Sequence, residues 1–351
     1  MFRKKIAILC SIITITALIN GCGSSSQVKT TTGLVVDDYI QGATVCVDAN
    51  NNGKRDSGDT PCATTNATGQ FTFASNVSTS PLVMTGGTDV ASGKPFTGSY
   101  TAPAGSSVVN SLTTIIQSIV KTGTTVAEAQ DRVRSSLELP SNVDLRSYDP
   151  IAQLASGSDS ERETAKKVFA QQSSIQTVLG IVSSAIAASA SGTTTSVADI
   201  FDSASTRIAA LMTTPKRAEA VDVTSSSNVK DIITQVATVE SVIIAPELVS
   251  ALSEQVVASS AQVIDSINNS SANIVDIRGA AAQIATVIQN NTDATTSAIE
   301  AGTAPAEIVS NIIEPSVAEN ALATAANAVT IPTASLATVA TTASEPDAST
   351  N

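Results

Sequence analysis

The chain has 351 residues, of which 42% are hydrophobic and 3% aromatic, with no tryptophan. That length leaves room for two modest domains, and their cores must be built from Val, Ile, Leu and Ala. A formal charge of −12 repels nucleic-acid phosphates, and the lack of any histidine removes His-based triads, His general bases and most catalytic zinc sites.

Arg3, Lys4 and Lys5 precede an uncharged, mostly apolar stretch from Ile6 to Ile19. Its 14 residues suit the apolar core of a signal peptide and are short for a bilayer span. Ile19-Asn20-Gly21-Cys22 follows and resembles the lipobox of bacterial lipoproteins, with Asn20 as its one departure. The resemblance implies that residues 1–21 are cleaved and that Cys22 carries lipid. The mature chain would then hold 16 basic against 31 acidic residues, a charge of −15. Each buried acyl CH₂ adds about 0.8 kcal/mol, so several chains give firm membrane attachment. Residues 22–32 read as a flexible tether, led by Gly23-Ser24-Ser25-Ser26. No Asp follows Cys22, which resembles lipoproteins passed on to the outer membrane.

Residues 33–104 read as a small antiparallel β-domain. Gly33–Val36, Ala43–Val47, Gly69–Phe73 and Leu82–Met84 carry strand signals, and glycines punctuate them. Gly86-Gly87-Thr88-Asp89 reads as a turn. Between the second and third strands, Asp48 to Asp59 spells D-x-N-x-N-G-x-x-D-x-x-D. Oxygen-bearing residues at loop positions 1, 3, 5, 9 and 12, with glycine at 6, are what a hard cation with six to eight oxygen ligands requires. The expected Ca²⁺ ligands are Asp48, Asn50, Asn52, Asp56 and Asp59, with the backbone carbonyl of Lys54. Gly53 supplies the sharp turn. Cys46 and Cys62 bracket the loop, and export makes them a disulfide pair.

The spacing resembles EF-hand, dockerin and thrombospondin type 3 loops, although Arg55 and Asp59 depart from the EF-hand pattern. The wider frame, from Gly33 through Tyr39, Gly42 and Asp48 to Phe71 and Phe73, resembles SdrD B-like and carboxypeptidase-regulatory-like β-sandwich modules. That resemblance covers only about residues 33–100. It implies a stalk or spacer more than a catalyst.

Beyond Gly105 the apolar period becomes helical, and residues 105–328 read as an all-α bundle. Val108, Val109, Leu112, Ile115, Ile116 and Ile119 form the first stripe, and Thr124 or Thr125 caps a second helix that Pro140 stops. A long helix is expected over 160–190, and others near 195–213, 228–243, 246–267, 271–290 and 304–325. The Thr/Ala/Ser/Pro-rich residues 329–351 read as a disordered tail. Ser-x-x-Lys occurs at Ser26–Lys29 and Ser227–Lys230, but its usual catalytic partners are missing. Glu161 and Glu163 read as a solvated helix face. The fold class is therefore α+β in separate domains, a β-sandwich then a bundle. The expected function is that of a non-enzymatic surface lipoprotein with a protein or matrix partner. The alternative is an envelope hydrolase using carboxylates of the helical part.

Overall fold

The computed structural model describes residues 30–302 except 38, 191–194, 214–220 and most of 270–291. The signal segment, Cys22, the expected helix over 304–325 and the tail 329–351 lie outside the described residues, as does most of the expected helix over 271–290.

Among the described residues nine strands come first: β1 (Thr31–Val35), β2 (Ile40–Gln41), β3 (Thr44–Val47), β4 (Cys62–Thr64), β5 (Gln70–Phe73), β6 (Leu82–Thr85), β7 (Thr88–Asp89), β8 (Ser99–Ala102) and β9 (Val108–Val109). They form a three-stranded sheet β5-β1-β9, a four-stranded sheet β4-β3-β6-β8 and a two-stranded ribbon β2-β7. In β5, Phe71 and Phe73 are buried while Thr72 faces outward, the period-2 alternation of a half-covered strand. β1 begins at Thr31, inside the expected tether.

The helices are α1 (Ser111–Val120), α2 (Val126–Ser136), α3 (Pro150–Ser156), α4 (Asp159–Ser189), α5 (Val197–Thr213), α6 (Ser226–Val239) and α7 (Pro246–Asn269). Residues 292–300 are helical as well. None of the helices among the described residues is long and apolar enough to cross a membrane.

Caps set the helix starts. Asn110 opens α1 with a capping box: its side chain accepts from the Thr113 N–H, and the Thr113 hydroxyl accepts from the Asn110 N–H, both at 2.9 Å. That cap leaves Val108 and Val109 outside the helix whose stripe they were expected to join. They form β9 instead, pairing in parallel with Leu34 and Val35. The three-stranded sheet is thus mixed, while the four-stranded sheet and the ribbon are antiparallel throughout. Thr125 caps α2 and Ser225 caps α6, so Ser227 is a first-turn residue and not a cap. Asp149, just before Pro150, caps α3, a short helix that carries no apolar stripe long enough to announce it.

The mixed α+β class holds, but the packing crosses the expected boundary between residues 104 and 105. One apolar cluster runs from Val35 and Val45 through Leu112 and Ile115 to Val178 and Val256. A second joins Val36 and Tyr39 to Phe169 and Val263. Buried polar groups join the same parts. Gln172, 0% exposed, donates from Nε2 to the Val36 carbonyl at 2.8 Å and accepts from Asn110 Nδ2 at 2.9 Å. The Thr113 hydroxyl reaches the carbonyl of Thr101 in β8 at 3.0 Å.

Candidate functional site

β3 delivers the Asp48–Asp59 loop. Its last residue, Val47, donates to the Pro61 carbonyl at 3.0 Å, and Asp48 donates to the Pro81 carbonyl at 3.0 Å. Cys46 and Cys62 face each other across β3 and β4 and are joined as a disulfide, as expected. In the chain-entropy picture, closing a loop of this length stabilises by about 3 kcal/mol. Here the bond also fixes both ends of the twelve-residue segment.

Inside the loop, side-chain oxygens fold the backbone over themselves. Asp48 Oδ1 accepts from the Asn52 N–H at 3.1 Å and Oδ2 from the Gly53 N–H at 2.8 Å. Asn50 Oδ1 accepts from the Asn52 N–H at 3.1 Å, and Asn52 Oδ1 from the Lys54 N–H at 2.7 Å. These are the local side-chain-to-backbone bonds that Asp and Asn make in turns. Gly53 has φ +79°, which an L side chain adopts only at a cost. Asp59 closes the loop, accepting from Ala49 N–H at 3.0 Å and Asp56 N–H at 2.6 Å.

Asp48 and Asp59 are 1% and 3% exposed, whereas Asp56 faces solvent. The Asn50 and Asn52 amide nitrogens both donate to Asp56 Oδ2, at 2.8 and 2.7 Å. Those amides hold the Asp56 carboxyl below its ordinary range. Burial pushes Asp48 up. The Gly53 and Asn52 N–H groups oppose the rise, the Asp59 charge adds to it, and the Lys121 charge opposes it.

The loop lies against the helices. Gln117 of α1 donates to Asn51 Oδ1 at 2.6 Å, and its own buried Oε1 has no hydrogen-bond partner among the described residues. Lys121, just beyond α1, donates to the Asn52 carbonyl at 2.8 Å and lies 3.7 Å from Asp202 of α5. Lys54 pairs with Asp199 of α5 at 2.7 Å. A Cβ on Gly53 would lie 2.8 Å from Lys121 Nζ and 3.0 Å from Asp202 Oδ1. Gly53 therefore allows this close approach as well as the turn. Burial raises Asp202 against the pull of Lys121 and Lys54.

Gln117, Lys121, Asp199 and Asp202 carry no motif, and sequence reading did not find them. Their partners lie 66 to 145 residues away in the cases of Gln117 and Asp199. Among the described residues, no three His, Cys, Asp or Glu side chains converge on a common metal position. Asp48 and Asp59 direct their oxygens to backbone N–H groups. The predicted ligand residues share one loop, with Asn50, Asn52 and Asp56 meeting side chain to side chain. No protein-family model, curated protein or solved structure matches the chain.

Proposed function

We propose that the protein is an exported, lipid-anchored and non-catalytic component of the cell envelope, with Ca²⁺ in the Asp48–Asp59 loop as a structural ion. Cys22 would carry the lipid, outer-membrane placement follows from the residues after it, and a protein or matrix component would be the partner. The observation that carries the calcium reading is the preformed loop. Asp48, Asn50 and Asn52 wind it around a positive-φ glycine through side-chain-to-backbone bonds, Asp59 closes it, and Asn51 and Lys54 tie it to α1 and α5.

The residues fit a hard cation in donor type. Rotating the Asn50 and Asn52 amides would exchange the nitrogens at Asp56 for oxygens, which a dication between them would favour. Asp48 and Asp59 have further lone pairs beyond those taken by N–H groups. Gln117 Oε1, which has no hydrogen-bond partner among the described residues, is a buried acceptor beside the loop. A proton and a cation compete for Asp48, so affinity falls as pH drops through its raised range.

Calorimetric Ca²⁺ titration of the full chain in detergent, beside an Asp48→Ala/Asp59→Ala variant, tests the site. The expected result is saturable heat from the parent and none from the variant. Equal heats from both would sink the assignment. Mass spectrometry of the N-terminus tests lipid on Cys22.

A further inference from the structure

A second site lies away from the calcium loop and does not depend on it. A cleft of about 110 Å³ opens between the β7–β8 segment and the helices α4, α5 and α7. Phe96, Phe169 and Phe201 line it, three of only six phenylalanines in the chain. Tyr100 packs on two of them, its ring centroid 4.6 Å from Phe96 and 5.8 Å from Phe201. A sequence this poor in aromatics has placed several around one unfilled space.

The shape is held open on one side and closed on another. A Cβ on Gly98 would meet the Phe201 ring at 2.7 Å and Phe96 at 3.0 Å, so Gly98 lets those rings close over the cleft. On α4, Gly180 has nothing within 4 Å of where a Cβ would stand. Glycine inside a helix costs about 1 kcal/mol relative to alanine, and here it leaves space where a side chain would fit.

Charge supplies the rest. Among the described residues, Asp37 and Asp89 line the cleft with Lys94 as the single cationic lining residue, a net of −1. Asp89 is oriented by Ser92, whose N–H and hydroxyl each lie 2.6 Å from Oδ1. Both carboxylates act on one point: burial, then Asp37 and then Asp89, push the Tyr100 phenol up. The Tyr100 hydroxyl also bonds Gln176 of α4. Aromatic faces attract a cation through their quadrupole, and carboxylates beside them in a poorly hydrated pocket add to that pull. An anion is repelled by the net negative lining.

We propose that this cleft binds a small organic ammonium ion, its cationic head set among Phe96, Phe169 and Phe201 and facing Asp37 and Asp89. The volume suits a head group of a few heavy atoms, smaller than an ordinary drug-sized ligand.

Calorimetry on the full chain tests this with choline and propylammonium, each beside its neutral isostere, 3,3-dimethylbutan-1-ol and propan-1-ol. At least one ammonium should bind about tenfold more tightly than its isostere. Asp37→Asn and Asp89→Asn should each reduce that preference. Gly180→Leu should fill the cleft and abolish binding while the helical circular dichroism is retained. If the leucine variant fails to fold, the two Asn variants still decide the matter. Isosteres binding as well as the ammonium ions, or no binding by either ammonium, would overturn the proposal.

Discussion

Asn110 concentrates several roles in one side chain. It caps α1 through Oδ1 and gives Nδ2 to Gln172, whose other end holds the Val36 carbonyl. Replacing it with alanine removes a cap worth about 0.5–2 kcal/mol. It also leaves a buried amide oxygen unpaired, at about 1–3 kcal/mol. Asn110→Ala is therefore expected to destabilise by about 1.5–5 kcal/mol in urea unfolding, where an ordinary exposed Asn would cost under about 0.5 kcal/mol. Asp199 makes the opposite case, a surface group with a modest effect. The Lys54 ammonium and the Ser196 hydroxyl hold its carboxyl below the usual range. A depressed folded value means stability that is present above the unfolded pKa of about 3.9 and is lost as pH falls through the folded one. Both side chains are partly exposed, at 51% and 35%, so the pair contributes at most about 1 kcal/mol. The stability gap between parent and Asp199→Asn should be measurable at pH 7 and should close in strong acid. A gap that stays constant with pH would show that Asp199 acts through packing and not through charge.

At the scale of elements, the long apolar stripes were legible, and the places where the chain breaks them were not. The stripe of Ile175, Val178, Leu179, Val182 and Ile186 marks α4, and the observed helix, Asp159–Ser189, differs from the expected one by a residue at each end. Its start is fixed by a Ser158–Glu161 capping box, so Glu161 does more than solvate a face. Val108 and Val109 continue the apolar spacing of α1, and periodicity alone could not exclude them. Asn110, a stop signal as well as a start signal, was the informative residue. β4 went unseen because three residues carry little period-2 signal, and β8 because it is buried at all four positions and shows no alternation. Within α4, Gly180 is open to substitution by a methyl group. Gly180→Ala is expected to stabilise by about 0.5–1 kcal/mol, since the helical backbone is kept and the unfolded chain loses freedom. A urea midpoint that moves downward would mean that the space beside Gly180 is already filled.

For the whole molecule, local chemistry was readable and long-range assembly was not. The twelve-residue loop and its disulfide announce themselves by spacing. Nothing in that spacing says that Asn51, Asn52 and Lys54 will meet Gln117, Lys121 and Asp199. The consequence is mechanical. Calcium in an isolated β-domain would tighten residues 46–62 alone, whereas calcium in a loop seated on α1 and α5 changes the stability of the shared core. A ligand that binds only the folded form adds about 2.7 kcal/mol at one hundred times its dissociation constant. Amides of α1 and α5 should therefore gain protection from hydrogen exchange on going from EGTA to saturating Ca²⁺, together with those of β3 and β6. Protection confined to residues 46–62 would mean that the loop is mechanically isolated. Lys121 sharpens the test. Its ammonium touches the Asn52 carbonyl and already offsets the charge of Asp48, so it partly occupies the electrostatic role a metal would take. Lys121→Met removes a repelling cation and one tie to the helix in a single step. Calcium affinity should rise about threefold, within the range of a partly exposed charge pair. The calcium-dependent protection of α1 should fall at the same time. Affinity and transmission moving in opposite directions is an outcome that a purely local calcium turn has no means of producing.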